Sequence, residues 1–150
     1  IDASNFINDE KYLRRIDRKI ANIESHHLES LGIPTLEQAF ILINTKKTLL
    51  LDVKDNRASS SLISLLEKYR QIRIILASYN PNVLMFFYYN SPRYRRFLIM
   101  DTIDNKIMKL CQKNNKNTFN VLIVDYEKNA TRDIMELRYQ GHKVFLKTIN

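Results

Sequence analysis

Short apolar runs alternate along the chain with longer stretches in which apolar residues recur every three or four positions. The runs are residues 49–53, 72–77, 97–100, 121–124 and 144–146. Each has the length of a strand, and most are rich in leucine and β-branched residues. Nearly continuous apolar strands separated by helices are typical of a parallel sheet whose faces are covered. The pattern predicts an α/β fold of repeating strand–helix units.

The intervening stretches have the spacing of amphipathic helices. Their apolar stripes are Leu36, Phe40 and Ile43; Leu62, Leu65, Leu66 and Tyr69; Ile103, Ile107, Leu110 and Cys111; and Ile134 and Leu137. Thr35 and Gln38 have the spacing of a capping box. Pro81 follows Asn80, where the first turn of a helix tolerates proline. Gly141 follows the last stripe and is expected to end that helix in a left-handed conformation.

The amino-terminal third of the chain is less regular. Residues 4–7 favour a short edge strand, and residues 16–31 a helix or an irregular segment. About six strands in total fit either an open doubly wound sheet or most of a barrel. Because no linker rich in Pro, Gly or Ser divides the sequence, we expect one domain over residues 1–150. If these residues are the whole folded protein, its unpaired sheet edges predict a homodimer.

Composition supports a globular chain, with 45% hydrophobic and 27% charged residues. No apolar run reaches the roughly 18 residues that span a bilayer. The first residues lack the pattern of a signal peptide, so a soluble chain of undetermined compartment is expected. Cys111 is the only cysteine, which excludes an intramolecular disulfide and a cysteine-rich zinc site. It is expected to be a small buried apolar residue.

Positive charge is in excess, with 24 basic and 16 acidic residues. Such a surface attracts anionic membranes, acidic proteins or nucleic acid, so a non-enzymatic basic interaction module is an alternative function. One basic cluster comprises Arg14, Arg15, Arg18 and Lys19, and another Arg93, Arg95 and Arg96. The second cluster, with Tyr94, fits base stacking or an ordinary connection whose tyrosines pack on the core. The connection is favoured, and nucleic acid is not an expected partner.

Candidate chemistry lies at the carboxyl ends of the strands, where parallel α/β folds bind ligands. The candidates there are Asp52, Lys54, Ser78, Asp101, Asp125, Thr148 and Asn150. Asp52 and Lys54 are two positions apart and point to the same side of a strand. Such a pair either holds a divalent cation beside a phosphate or forms a plain salt bridge.

Several familiar sites are excluded. With two glycines, Gly32 and Gly141, the chain has no dinucleotide-binding or Walker phosphate loop. His26 and His27 are adjacent and would diverge on a helix, so they do not chelate one metal. His142 lies in a turn beside Gly141 and is expected on the surface.

Four segments in order resemble the glycerophosphodiester phosphodiesterase family. Residues 32–40, GIPTLEQAF, are similar to the family's I-P-T-L-E-E-V-L, and residues 50–54, LLDVK, to its strand ending I-E-I-K. Residues 77–84, ASYNPNVL, resemble its S-F-x-P-x-x-L turn. Residues 141–150, GHKVFLKTIN, are similar to its G-x-x-V-x-x-W-T-V-N, with Lys147 in place of the tryptophan. The resemblance implies a TIM-type barrel, incomplete or divergent here, and a role in lipid metabolism.

The resemblance also implies roles for individual residues. Asp52 takes the place of a glutamate that binds a divalent cation, calcium or magnesium, and Lys54 that of a catalytic lysine that binds the phosphate. Laid on the family's F-H-D-x-x-L-x-R, residues 7–14 put Asn8 where a catalytic histidine is expected. The implied ligands are phosphodiester or phospholipid head groups.

The chain departs from the family at its catalytic groups. The opening H-R-G and the acidic E-x-D strand are absent, and the chain stops before the family's closing strand. An asparagine such as Asn8 cannot exchange a proton near neutral pH. A catalytically impaired relative, or an excerpt of a longer enzyme, is therefore expected.

Overall fold

The computed structural model describes residues 25–30, 32–43, 47–113 and 118–147. The chain divides into two compact units after Ile43. The first contains helices α1, Ser25–Ser30, and α2, Leu36–Leu42. The predicted capping box begins α2: the Gln38 N–H donates to Thr35 Oγ1 at 3.2 Å, and the Thr35 N–H donates to Gln38 Oε1 at 2.8 Å. Ile43, predicted within this helix, is its C-cap.

The second unit is a five-stranded parallel sheet with helices between its strands. Its elements are β1 Thr48–Asp52, a 3₁₀ turn Asn56–Ala58, α3 Ser59–Lys68, β2 Arg73–Ser78, α4 Pro81–Asn90, β3 Arg95–Met100, α5 Asn105–Lys113, β4 Val121–Asp125, α6 Thr131–Tyr139 and β5 Val144–Lys147. The strands lie in the order β1-β2-β3-β4-β5, every neighbouring pair parallel. A doubly wound sheet reverses its order at a switch point, whereas a barrel wall does not. The predicted α/β class is confirmed, and the order of these strands is that of a barrel wall.

Predicted and observed strand boundaries differ by two residues at most. The predicted strand at residues 4–7, residues 16–24 of the predicted helix, and the basic cluster from Arg14 to Lys19 lie outside the described residues. Residues 25–30 of that predicted segment are helical.

Apolar residues are buried on both faces in the middle of the sheet. Leu76, Leu98 and Leu122 are fully buried on one face. Residues of the alternate positions, Ala77, Phe97, Ile99 and Val121, form a cluster on the other. On that same face, Leu50 in β1 and Phe145 in β5 are 49% and 56% exposed. These outermost strands have a strand partner on one side only among the described residues, so the sheet edges are the less covered part. The homodimer stays a prediction.

The predicted left-handed helix end is confirmed at Gly141, where φ is +84°. The Gly141 N–H donates to the Arg138 carbonyl at 2.8 Å, and the His142 N–H to the Leu137 carbonyl at 3.1 Å. This pair of bonds is a Schellman motif, which turns the chain back over the helix it ends. It also folds His142 inward, so this residue is buried and the prediction of a surface position was wrong.

Gly141→Ala is expected to lower the free energy of unfolding by about 1 kcal/mol, because a Cβ disfavours the left-handed backbone. Urea denaturation followed by circular dichroism measures it. Gly141→Asn provides the matched control, since asparagine tolerates this conformation and should cost less. Equal losses for the two variants would mean that backbone conformation is not the cause.

The connection between α4 and β3 is built into the core. Tyr94 and Arg96 are buried, at 6% and 3% exposure, whereas Arg93 and Arg95 are exposed. The Tyr94 hydroxyl donates to the Leu66 carbonyl at 3.0 Å. The predicted packing of this connection on the core is confirmed for Tyr94, whereas Tyr89 in the preceding helix is 73% exposed.

Cys111 is buried as predicted, at 2% exposure, and desolvation raises the pKa of its thiol to about 11.

The described helices include none with the length and apolar character that crossing a bilayer requires.

Candidate functional site

Strand register places charged residues from β1, β4 and β5 on one face of the sheet. Asp52 pairs with Ala77, which belongs to the apolar cluster on that face. Asp125 pairs with Lys147, two positions beyond the pair of Ile123 with Phe145. Side chains two positions apart on a strand share a face. Asp52, Asp125 and Lys147 therefore lie on the cluster's face, at the carboxyl ends of their strands.

Lys147 is the residue that joins the distant strands at this end. Its Nζ lies 2.7 Å from Asp101 Oδ1, just beyond β3, and 2.8 Å from the hydroxyl of Tyr79, just beyond β2. Strands β2 and β5 are three positions apart, about 14 Å along a flat sheet. The side chains of Tyr79 and Lys147 meet because both extend over the same face of the sheet. The carboxyl end is therefore a concave cluster rather than a row of separate strand ends.

Tyr79 lies between two lysines. Lys54 Nζ is 4.8 Å from the centre of the Tyr79 ring and forms an ion pair with Asp52. Lys147 Nζ is 5.0 Å from the same centre, but its hydrogen bond to the phenol oxygen places it beyond the ring edge. We therefore treat the Lys147 contact as a hydrogen bond and the Lys54 contact as the cation–π interaction.

The electrostatics of the cluster keep its central pair ionised. The hydrogen bond from Lys147 is the largest cause of the lowered pKa of Asp101; partial desolvation opposes it, and the charges of Lys147, Lys128 and Lys54 add to it. Burial lowers the pKa of Lys147, but its bonds to Asp101 and Tyr79 outweigh burial, and the net shift is upward. Both groups thus carry their charges at neutral pH. We refer to Asp52, Lys54, Tyr79, Asp101 and Lys147 as the carboxyl-end cluster.

Ser78 fixes the backbone next to this cluster. Its Oγ donates to the Val53 carbonyl at 2.6 Å and accepts from the Asn80 N–H at 3.0 Å. Asn80 in turn caps α4 through the Asn82 N–H at 3.0 Å. Ser78 was a candidate for chemistry, but both of these bonds fix the turn that carries Tyr79. We assign it to positioning.

Asn129 ties the ends of β3 and β4 together. Its Nδ2 donates to the carbonyls of Asp101 at 2.7 Å and Asp125 at 2.5 Å, and its Oδ1 accepts from the Ile103 N–H at 2.5 Å. These bonds fix the backbone from which the Asp101 carboxylate projects. Asp125 itself is buried, and Lys128 Nζ lies 3.5 Å from its Oδ2.

The structure brings together some of the predicted site residues. Lys54 contacts both Asp52 and Tyr79, and Asp101 contacts Lys147. Asn8, Thr148 and Asn150 lie outside the described residues.

Tyr79, Lys128 and Asn129 were not predicted as site residues, and Lys147 was noted only as a departure from the family. For Tyr79 the signal was its place directly after Ser78, at the end of an apolar strand. Asn129 carries no such signal, because its partners are contributed by separate loops.

The described side chains at the carboxyl ends of the strands lack the donor set that a divalent cation needs. Among the described residues, no group of three or more His, Cys, Asp or Glu side chains could hold a metal ion. The carboxylates of Asp52, Asp101 and Asp125 each face a lysine instead, namely Lys54, Lys147 and Lys128. A cation would have to displace an ammonium to reach them. The described residues therefore do not fit the predicted metal.

Parallel strands in sequential order, with charged residues at their carboxyl ends, define an α/β fold of the TIM-barrel class. Solved structures of phosphodiesterases have this fold. A phosphodiesterase from Oleispira antarctica in complex with the product sn-glycerol-3-phosphate matches with a TM-score of 0.64 and 16% identity, over 81% of this chain and 53% of that one.

Two further structures agree with the first. A glycerophosphodiester phosphodiesterase from Parabacteroides distasonis matches with a TM-score of 0.57 and 15% identity, over 78% of this chain and 52% of that one. A protein from Galdieria sulphuraria assigned to the same enzymes matches with a TM-score of 0.58 and 16% identity, over 92% and 56%.

The chain spans about half the length of these structures. No protein-family model matches it, and no curated protein does. The predicted resemblance to glycerophosphodiester phosphodiesterases is confirmed as a likeness of fold.

Proposed function

We propose that this chain is a glycerophosphodiester phosphodiesterase-like domain that binds a phosphate-bearing head group at the carboxyl-end cluster and hydrolyses it poorly. The observation that carries the proposal is the convergence of Lys54 and Lys147 on Tyr79 at the end of the sheet where this fold binds ligands.

The lysines have donors to spare. An ammonium carries three N–H groups. Lys147 donates to Asp101 and Tyr79, and Lys54 to Asp52, so each has at least one N–H without a partner among the described residues. Phosphate oxygens accept such bonds strongly because both partners are charged. Between the lysines, the Tyr79 ring offers an apolar surface to the carbon chain of a glycerol. The bound product in the Oleispira antarctica phosphodiesterase is of this chemical class.

Weak hydrolysis is proposed because Asp101 and Lys147 are held in their charged forms and are poorly suited to exchanging protons. The pKa of Asp101 is lowered and that of Lys147 raised, so neither group lies near neutral pH as a general acid or base should. His142 is beside the amino end of β5, away from the cluster. Asn8, at the family's histidine position, cannot supply the missing proton transfer.

Calorimetric titration with sn-glycerol 3-phosphate and glycerophosphocholine tests the binding. Lys54→Ala is expected to weaken affinity about three- to tenfold, a modest loss because the Lys54 side chain is 59% exposed. Asp52→Ala is the paired variant: it removes the carboxylate that competes for Lys54 and should leave affinity unchanged or slightly higher. Absence of binding to either ligand would reject the proposed site.

The same titrations with calcium, magnesium or a chelator test the metal, together with a turnover assay on glycerophosphocholine. We expect cation-independent binding and no appreciable turnover. Rapid turnover that Asp52→Ala abolishes would reject the impaired-enzyme proposal and restore Asp52 as a metal ligand.

A further inference from the structure

The amino end of the sheet carries a concentration of exposed positive charge that the proposed site does not use. In a parallel sheet all strands begin at one end, and the helices between them run back to that same end. Six exposed basic residues lie there, at the strand starts and in the connections that lead to them. They are Lys47, Arg70, Arg73, Arg93, Arg95 and Lys143. We call these six residues the amino-end face.

Few acidic residues offset this charge in the described part of the chain. Glu67 forms ion pairs with Arg70 and with Arg93, whose Nε is 3.8 Å from the carboxylate. Glu136 lies in the final turns of α6. Lys68 and Arg138 are also at this end, but basic residues in the last turn of a helix are explained by its dipole.

The opposite end is charge-matched. Its lysines at positions 54, 128 and 147 each face an aspartate. The positive excess of the described second unit is therefore concentrated at the amino end. A charge distribution of this kind attracts an anionic partner over long range.

The breadth of the amino-end face favours an extended partner surface. Its residues are spread from the start of β1 to the start of β5, across five neighbouring strands or roughly 19 Å measured along the sheet. Proteins that bind single-stranded nucleic acid instead have a positively charged groove that follows one strand. Two exposed tyrosines join the face, Tyr89 near the end of α4 and Tyr139 at the end of α6, at 73% and 83% exposure. Tyrosine rings are enriched where protein meets the head groups of a bilayer.

From these observations we infer that the amino-end face docks on an anionic lipid bilayer. Phosphate and carboxylate head groups bind its lysines and arginines, and the tyrosines lie at head-group depth. Because the carboxyl-end cluster is at the other end of the strands, docking leaves that cluster facing water. Resting on the proposed function, this orientation means that the domain takes a water-soluble phosphate ester at the membrane surface rather than a lipid of the bilayer on which it docks.

Co-sedimentation with vesicles of phosphatidylcholine plus 30 mol% phosphatidylserine tests this inference. Each basic residue near such a surface contributes about fivefold in affinity. The triple variant Lys47→Gln, Arg73→Gln, Lys143→Gln should thus bind on the order of a hundredfold more weakly. A matched triple, Lys106→Gln, Lys109→Gln, Arg132→Gln, removes the same charge from exposed positions outside the face and should lose less than threefold.

Several outcomes would overturn the inference. If the two triple variants lose equal affinity for the vesicles, binding depends on net charge alone and not on the amino-end face. Lack of binding to the anionic vesicles, or tighter binding to a single-stranded RNA than to the vesicles at the same salt concentration, would reject it. Titration with sn-glycerol 3-phosphate in the presence of vesicles separates the two proposals. Retained phosphate binding without vesicle binding overturns only docking, and the reverse overturns only the proposed function.

Discussion

Replacing Arg96 with leucine is expected to lower the free energy of unfolding by about 3 kcal/mol. Arg96 is 3% exposed, and its guanidinium fixes the strand start by donating to backbone carbonyls. Its Nε lies 3.0 Å from the Thr118 oxygen and its Nη1 3.1 Å from that of Pro92, with a further bond to the Tyr94 carbonyl. Leucine fills the space of the stem but leaves these acceptors without their donor. Each buried carbonyl that loses its partner costs about 1–3 kcal/mol before relaxation.

Neighbouring variants isolate the cause. Arg95→Leu removes the same charge from the adjacent exposed position and should change stability by less than about 0.5 kcal/mol. Arg96→Lys keeps the charge but replaces the planar fork with one ammonium, so we expect an intermediate loss of roughly 1–2 kcal/mol. Urea denaturation measures all three. If Arg96→Leu costs no more than Arg95→Leu, the buried guanidinium does not stabilise the connection.

This arginine illustrates what the chain pattern could predict. The alternation of apolar runs and amphipathic stripes identified every described strand and the helices between them, because burial on a sheet or helix face imposes a local period. Arg96 breaks that pattern: it is a charged residue directly before the apolar run. One of the carbonyls that its buried guanidinium binds belongs to Thr118, 22 residues away. Local periodicity contains no information on such a partner.

In the candidate site, too, some contacts could be predicted from local spacing and others could not. Asp52 and Lys54 could be predicted as a pair because two positions along a strand share a face. The contact of Lys147 with Tyr79 could not, since it joins residues 68 positions apart and depends on the curvature of the sheet. The left-handed end of the last helix at Gly141 could be predicted from the glycine itself. The burial of His142 could not, because it follows from the turn that Gly141 makes, which returns the next residue to the helix.

Lys147→Ala is expected to weaken binding of sn-glycerol 3-phosphate roughly 10- to 100-fold, more than Lys54→Ala. The Lys147 side chain is 19% exposed, against 59% for Lys54, so its bond to a ligand competes less with water. Lys147 is also held in place by Asp101 and Tyr79, which reduces the entropy lost on binding. Calorimetric titration measures the effect, with Lys109→Ala as the control on an exposed helix position. A loss smaller than that of Lys54→Ala would show that the less exposed lysine is structural.

Asp101→Asn should act in the opposite direction and tighten binding about threefold, because the carboxylate competes with the ligand for Lys147 at a 45% exposed position.

The pH profile adds an independent check. A depressed pKa means that the stabilisation from Asp101 is present above its unfolded pKa and is lost as pH falls through the lower, folded value. The raised pKa of Lys147 means that its stabilisation is present below its unfolded pKa and is lost as pH rises through the higher, folded value.

The pair therefore stays ionised through the neutral range, and affinity between pH 5 and 9 should follow only the ligand's own second ionisation near pH 6. In Asp101→Asn that ligand step should remain. An additional transition between pH 7 and 9 in the wild-type profile would mean that a group of the cluster titrates there, and would contradict the assignment of Lys147 as a permanently charged anchor.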